Sequence, residues 1–152
     1  MRKILLPVIA AMISICGFCQ SNNDNDATLN AFRFTPHYMH PMSYPARDVT
    51  PDFFVQLKGD TLDCYLPYIG RAYMAPVDND GLNFKSLVQD YSQKSATKKK
   101  ITKRIISFKA TKNGVEKFQF SFTIWEDDKA DLFLQPSNSQ SINYTGEIQN
   151  LE

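Results

Sequence analysis

The segment from residue 117 to residue 124 alternates strictly between polar and large apolar side chains. Its apolar members occupy every second position: Phe118, Phe120, Phe122 and Ile124. Its polar members lie between them: Lys117, Gln119, Ser121 and Thr123. Successive side chains of a β-strand point to opposite faces, so this period predicts a strand with one face in a core. A helix would spread the apolar side chains around its circumference, and the chain is therefore expected to fold around an antiparallel sheet.

Other short apolar segments, separated by turn signals, continue along the chain. Strands are predicted at residues 31–35, 53–57, 61–66, 68–76, 82–91, 101–111, 117–124, 130–135 and 141–148. Residues 36–51 contain four prolines and are predicted to form a long irregular arm. The pattern predicts an all-β, mainly antiparallel fold, a small barrel or sandwich of about 7–9 short strands. Residues 23–31 leave room for one short amino-terminal helix.

The amino-terminal residues have the layout of an export signal. Two basic residues, Arg2 and Lys3, precede an apolar run over residues 4–15, and small residues follow. As a helix the run would span roughly 18 Å, whereas a bilayer core is roughly 30 Å thick, so it fits a signal better than an anchor. We predict a signal peptide at 1–19, a flexible polar leader at 20–30 and a single β domain at 31–150.

Two processing routes follow from the cysteines of this signal. Cleavage after Cys19 would leave Gln20 as the first residue, whereas a lipoprotein route would attach lipid to Cys16 or Cys19. Lipoprotein signals have a small residue before the cysteine, but Ile15 and Phe18 stand there, so simple cleavage is favoured. Both routes predict an exported protein, periplasmic or outer-membrane-associated, with secretion as a further alternative. No later segment is apolar for long enough to span a membrane.

The charge balance after signal removal disfavours nucleic acid as a partner. The chain has 17 basic and 16 acidic residues, and the signal contains two of the basic ones, so the processed chain is near neutral. Cys64 is then the remaining cysteine, which excludes an intramolecular disulfide. Because Cys64 alternates with Leu62 and Leu66, we predict that its side chain faces the core.

The sequence contains no motif that predicts a catalytic residue, a metal or a cofactor. His37 and His40 are the two histidines, whereas zinc sites need three or four protein ligands. The turn at 78–81 has Pro76 and Leu87 where a calcium loop would need carboxylates. A Gly-x-Ser-x-Gly elbow and a glycine-rich phosphate loop are also absent from the sequence.

One basic cluster comprises Lys98, Lys99, Lys100, Lys103 and Arg104. It could meet anionic lipid headgroups or lipopolysaccharide phosphates. Alternatively it is a solvated loop leading into a strand whose lysines discourage edge pairing, and this second interpretation is favoured.

The segment from Gly59 to Tyr73 resembles the central motif of a bacterial family catalogued as domain of unknown function 4251. The resemblance rests on the Gly59-Asp60 turn and the run Leu66-Pro67-Tyr68-Ile69-Gly70-Arg71-Ala72-Tyr73. Residues 82–84 and 141–148 resemble later parts of the family pattern, and the likeness covers roughly residues 30–150. It implies an exported envelope or lipoprotein-like protein of Gram-negative bacteria, without an activity. The family tends to have a glycine where this chain has residues 127–129, so the conformation of that turn is an open point.

The same motif supplies the candidate ligand-binding residues Tyr65, Tyr68, Arg71 and Tyr73. Pro67 is expected to end a strand because it has no backbone N–H to donate to a ladder. The bend at Gly70 could form a corner that closes the core, or an aromatic cleft with one cation that holds a ligand. The corner is the favoured interpretation.

Three functional hypotheses remain open at this level. The first is a non-catalytic binding or structural module of the envelope, with an apolar molecule such as a lipid, or another envelope component, as its partner. The second is a carboxylate-based hydrolase that acts on cell-surface glycans. The third is a protein-interaction module that uses an exposed sheet edge or the arm at 36–51.

Overall fold

The computed structural model describes residues 31–73 and 81–151, and these residues form ten β-strands and no helix. The strands are β1 (Ala31–Pro41), β2 (Arg47–Asp48), β3 (Phe54–Lys58), β4 (Thr61–Leu66), β5 (Leu82–Leu87), β6 (Gln89–Lys98), β7 (Ile101–Lys112), β8 (Glu116–Trp125), β9 (Lys129–Pro136) and β10 (Ile142–Asn150). The all-β prediction is confirmed. The predicted signal peptide, the leader, Cys16 and Cys19 lie outside the described residues, as does all but the last residue of the predicted helix. No helix in these two ranges is long and apolar enough to cross a membrane.

Nine strands form one antiparallel sheet in the order β5-β4-β3-β1-β10-β9-β8-β7-β6, and the two-residue β2 pairs with β1 beside it. The two edge strands of this sheet, β5 and β6, are consecutive in the chain and are separated only by Val88. The Val88 N–H donates to the Asp60 carbonyl oxygen at 2.8 Å, at the point where the segment leaves β4 and turns toward β7. The sheet therefore curls into a half-barrel, and its first edge approaches β7 and β8.

A ring contact and a hydrogen bond join the edge of the sheet at β5 to the ends of β7 and β8. The rings of Phe84 and Phe118 stack with centroids 5.1 Å apart. Lys112, buried at the end of β7, donates from Nζ to the Gly81 carbonyl oxygen at 2.7 Å. These contacts hold the start of β5 against the far end of β7.

The concave face of the sheet contains the core, which is rich in phenylalanine. The alternation predicted for β8 is confirmed, since Phe118, Phe120, Phe122 and Ile124 are all at most 2% exposed. The Phe122 ring meets those of Phe32 and Phe34 edge to face at 5.2 and 5.5 Å, an arrangement that suits aromatic quadrupoles. Cys64 is buried among these residues as predicted, and burial raises the pKa of its thiol well above the usual range.

The prediction of an irregular arm over 36–51 was wrong for its first six residues, because β1 runs through Pro36 to Pro41. A β-bulge explains how the strand accommodates the proline. The pairing with β10 shifts between Pro36 and Tyr38, so His37 is the extra residue of the bulge. Pro36 lies opposite Gly146, and a Cβ on that glycine would collide with the Thr35 carbonyl oxygen. The missing side chain therefore permits the close approach of the two strands.

Two turns show conformations that usually belong to glycine. Asp128, in the turn between β8 and β9, has a φ of 60°. Lys99 and Lys100 join β6 to β7 with φ values of 50° and 68°, so the loop predicted around residues 98–100 is a tight hairpin turn. Aspartate tolerates this left-handed region better than most L-residues, whereas lysine rarely occupies it, so the Lys99–Lys100 turn is the more unusual of the two.

Candidate functional site

A segment of seven residues after β4, which we name the strap (residues 67–73), crosses to the loop between β9 and β10. Ala72 forms an isolated antiparallel bridge with Ser139. The Tyr73 N–H donates to the Asn138 carbonyl oxygen at 2.7 Å, and the Gln140 N–H donates to that of Arg71 at 3.0 Å. The strand predicted over residues 68–76 is therefore wrong at residues 68–71, which are irregular, and residues 74–80 lie outside the described ranges.

Two tyrosine hydroxyls fix the strap to the sheet from opposite directions. Tyr144, fully buried on β10, donates to the Pro67 carbonyl oxygen at 2.7 Å. Tyr68 donates to the Gln140 carbonyl oxygen at 2.6 Å. Burial raises the pKa of both hydroxyls, and for Tyr68 a hydrogen bond with Ser139 partly opposes that shift. Both groups therefore remain protonated donors at neutral pH.

Gly70 leaves room for the side chain of Tyr68. The Tyr68 side chain folds back over this position, and a Cβ on Gly70 would collide with the Tyr68 hydroxyl group. The missing side chain at Gly70 and the Tyr68 hydrogen bond are consequently parts of one arrangement, in which the ring fills the space that another side chain would take.

The outer side of this corner exposes several large side chains around Gln140. The Gln140 side-chain oxygen accepts from the Arg71 backbone N–H at 3.2 Å, and its amide nitrogen donates to Ser43 Oγ at 3.1 Å. Met42 and Tyr44, on either side of Ser43, are 69% and 44% exposed, and Tyr73 is 70% exposed. We name the group formed by Met42, Tyr44, Arg71, Tyr73 and Gln140 the strap surface.

The structure brings three of the four candidate binding residues together. Tyr68, Arg71 and Tyr73 all lie on the strap, with Tyr68 half-buried beneath it and the other two exposed. Tyr65 lies apart on the outer face of β4, where its ring packs 4.9 Å from that of Phe53. The favoured interpretation of a core-closing corner agrees with these contacts.

Sequence reasoning missed Met42, Tyr44 and Gln140 as members of this surface. Ser43 and Gln140 meet across 97 positions of the chain, so no local pattern connects them. The only available signal was the proline-rich composition of residues 36–51, which marks a segment that must dock somewhere on the sheet.

The two histidines lie on β1 and do not form a recognisable metal centre. His37 Nε2 is 3.8 Å from a Glu147 carboxylate oxygen, and His40 Nε2 is 3.4 Å from Thr145 Oγ1. Within residues 31–73 and 81–151, no three His, Cys, Asp or Glu side chains are placed to hold one ion. That no metal binds remains a prediction of the sequence.

A second surface feature combines Trp125 with carboxylates. A recess of about 540 Å³ is lined by Trp125, Glu126, Asp127 and Asp131, among other residues. Lys129 donates to Asp127 at 2.7 Å and lowers the pKa of that carboxyl. A glycosidase acid needs a carboxyl with a raised pKa, so the Asp127 environment is tuned in the opposite direction.

Comparisons with known proteins agree with this architecture. A family model described as "Domain of unknown function (DUF4251)" matches residues 24–148. A crystal structure of a DUF4251 family protein from Bacteroides eggerthii is similar, with a TM-score of 0.58 and 18% identity over 80% of each chain. No curated protein matches. At this identity the structural likeness bears on the fold alone.

Proposed function

The chain belongs to the domain of unknown function 4251 family, and we propose that it is an exported, non-catalytic binding module of the cell envelope. The strap surface is its binding site. The observation that carries the proposal is the exposure of Met42, Tyr44 and Tyr73 on a frame held by short hydrogen bonds.

The composition of the strap surface suits a protein partner. Tyrosine, methionine and arginine are enriched in protein interfaces, and tyrosine often supplies much of the binding energy. The backbone beneath these side chains is fixed to the β9–β10 loop, so little ordering would be needed on binding. A protein of the envelope is therefore the partner class that this surface favours.

An apolar or lipid ligand fits the outside of the molecule better than its concave face. Phe108 stacks on Phe120 at 5.0 Å, and both rings are at most 1% exposed. Rings packed in this way fill the concave side of the sheet. A lipid, captured at position 73 in place of a protein, is accordingly the second outcome of the photo-crosslinking experiment described below.

Export rests on the amino-terminal sequence. Arg2, Lys3 and the apolar run at 4–15 support a signal peptide at 1–19, with cleavage after Cys19 favoured over lipid attachment at Cys16 or Cys19. A leader at 20–30 would then precede the β domain at 31–150. The near-neutral processed chain supports a partner other than nucleic acid. Labelling with a fatty-acid analogue tests the processing route, because incorporation lost in Cys16→Ala or Cys19→Ala would contradict simple cleavage.

A glycan hydrolase is the second candidate function, favoured by one observation. Aromatic rings often stack on sugars, and Trp125 lies beside Glu126 and Asp131. A Glu126→Gln, Asp131→Asn variant that loses hydrolysis of envelope glycans while staying folded would establish this candidate and overturn the non-catalytic proposal.

Photo-crosslinking in the native envelope tests the binding proposal. A photoreactive residue at position 73 should capture a discrete partner, and the matched probe at the 61%-exposed Val115 should not. Purified partner should then bind Tyr73→Ser at least about ten-fold more weakly, as expected when an interface anchor is truncated, and Val115→Ser with unchanged affinity. Equal capture at both positions, or unchanged affinity of Tyr73→Ser, would refute the proposal.

A further inference from the structure

The charges of this chain are strongly segregated. Residues 91–115 contain eight basic residues and no aspartate or glutamate. The rest of the chain contains nine basic and 16 acidic residues, so it is net negative by seven charges. The near-neutral total therefore conceals a molecule with one strongly positive arm, which is formed by β6, its tight turn and β7.

Six of the eight cations lie together in the outer part of this arm. Lys109 is paired with Asp90 at 2.8 Å, and Lys112 is buried against Gly81. The other six are Lys94, Lys98, Lys99, Lys100, Lys103 and Arg104. No ion pair within the described part of the chain engages any of these six. We name residues 94–104 the basic hairpin.

The tip of the basic hairpin is unusual in conformation as well as charge. Two-residue hairpin turns with both φ values positive favour Asn-Gly, because these residues tolerate the left-handed region. Here Lys99 and Lys100 occupy both positions. The next residue, Ile101, is 60% exposed. Strained residues cluster at functional sites, and this turn presents two lysines beside an exposed apolar side chain.

The basic hairpin projects from one end of the sheet. Lys103 pairs with Trp125, the last residue of β8, so the turn at Lys99–Lys100 extends about 10 Å farther. Glu126 lies behind the tip, where it accepts from the Thr102 N–H at 3.3 Å, and Asp127 is paired with Lys129.

The chain also enters the sheet at this end. Phe32 pairs with Asn150, and Glu147 pairs with Lys129, which follows the turn after Trp125. Ala31, the first residue of β1, therefore lies at the same end of the sheet as the basic hairpin. The strap lies at the opposite end, because it contacts the loop after the last residue of β9, whereas the first residue of β9, Lys129, lies at the hairpin end.

We propose that the basic hairpin docks on an anionic phospholipid bilayer. Clustered lysines are attracted to the phosphates of such a surface, and Ile101 is placed to enter the headgroup region. The lysines of β6 also discourage strand addition at this sheet edge, so a lipid surface fits the arm better than a peptide strand.

Vesicle binding by the processed protein, purified from the cells that express it, tests this proposal. The readout is the ratio of partition into phosphatidylglycerol-containing vesicles over neutral phosphatidylcholine vesicles, which is insensitive to a lipid anchor. Lys99→Asn with Lys100→Gly should lower this ratio about 25-fold, since each cation near an anionic surface contributes about five-fold. The same variant should be at least as heat-stable as the wild type, because Asn-Gly relieves the turn.

A charge-matched variant controls for net charge alone. Lys85→Gln with Lys117→Gln removes two exposed lysines away from the arm and should change the ratio less than about two-fold. An equal loss in both variants would overturn the proposal, as would a wild-type protein without preference for anionic vesicles. Preferential binding to a soluble acidic polysaccharide, or concentration-dependent self-association through the hairpin in place of vesicle binding, would overturn it too. These readouts do not involve the strap, so they are independent of the partner-binding proposal.

Discussion

The hydroxyl of Tyr144 and the carbonyl oxygen of Pro67 form a 2.7 Å hydrogen bond that joins the buried face of β10 to the first residue of the strap. Because Pro67 directly follows β4, this bond links strands that lie three places apart in the sheet order. The corner is therefore held from inside the core, and the exposed surface above it depends on a buried group.

Removal of that hydroxyl should loosen the corner without changing the fold. We expect Tyr144→Phe to lower the free energy of unfolding by about 1–3 kcal/mol, because the Pro67 carbonyl oxygen loses its buried donor. Chemical denaturation measures the change. Tyr91→Phe is the control, since Tyr91 donates to Gln93 at an exposed site and its loss should cost less than about 0.5 kcal/mol. Equal effects of the two variants would contradict the anchoring role of Tyr144.

The close approach of β1 and β10 at Gly146 makes a second prediction. Gly146→Ala places a methyl group against the Thr35 carbonyl oxygen and the Pro36 Cα, and neither backbone atom can move freely. We expect a loss of about 3 kcal/mol or more in unfolding free energy.

Gly114→Ala separates this steric cost from backbone strain. Gly114 has a φ of 71° with open space around it, so the substitution should cost only about 1 kcal/mol. Thermal unfolding of both variants gives the comparison. A Gly146→Ala protein as stable as Gly114→Ala would show that the two strands can separate at the bulge.

The sequence predicted strands accurately where one face of the strand is buried, and poorly where most side chains are exposed. In β8 one face is buried throughout, so the period of two was visible and its face assignment was right. Most of β6 escaped prediction because nine of its ten residues are exposed, which leaves no apolar alternation to detect. β1 was cut short at Pro36, since the bulge that accommodates the proline depends on Gly146, more than a hundred residues away.

The candidate site shows the same division. The motif at 66–73 correctly indicated a strand end at Leu66, because Pro67 cannot donate to a ladder. The bend predicted at Gly70 is not seen, since residues 67–71 run on without a turn. Met42, Tyr44 and Gln140 became part of the surface only through contacts between distant segments. Local residue types thus predict where a strand ends, whereas the segment that the chain contacts next depends on the order of the strands in the sheet.

Alkaline titration provides a third prediction. Burial raises the pKa of Tyr144 well above its ordinary value of 10.0, and it also raises that of Tyr68. The folded state therefore holds tyrosine protons that the unfolded chain releases, so the contribution of these two hydroxyls to stability is fully present below pH 10 and falls as the pH rises toward the folded pKa values. Denaturation at a series of alkaline pH values should show this decline, with a shallower slope in Tyr144→Phe. The same slope in both proteins would exclude Tyr144 as a source of the decline.

The turn after β8 yields the fourth prediction, from two adjacent aspartates in different conformations. Asp128 has a φ of 60°, so Asp128→Gly removes a strained side chain, although glycine also increases the entropy of the unfolded chain. The two effects should nearly cancel, leaving the unfolding free energy within about 0.5 kcal/mol of the wild type. Asp127→Gly gains no such relief and loses the 2.7 Å ion pair with Lys129, so we expect it to destabilise the fold more than Asp128→Gly does. Denaturant midpoints of the two single variants test the contrast. A larger loss in Asp128→Gly than in Asp127→Gly would mean that the Asp128 side chain stabilises the turn.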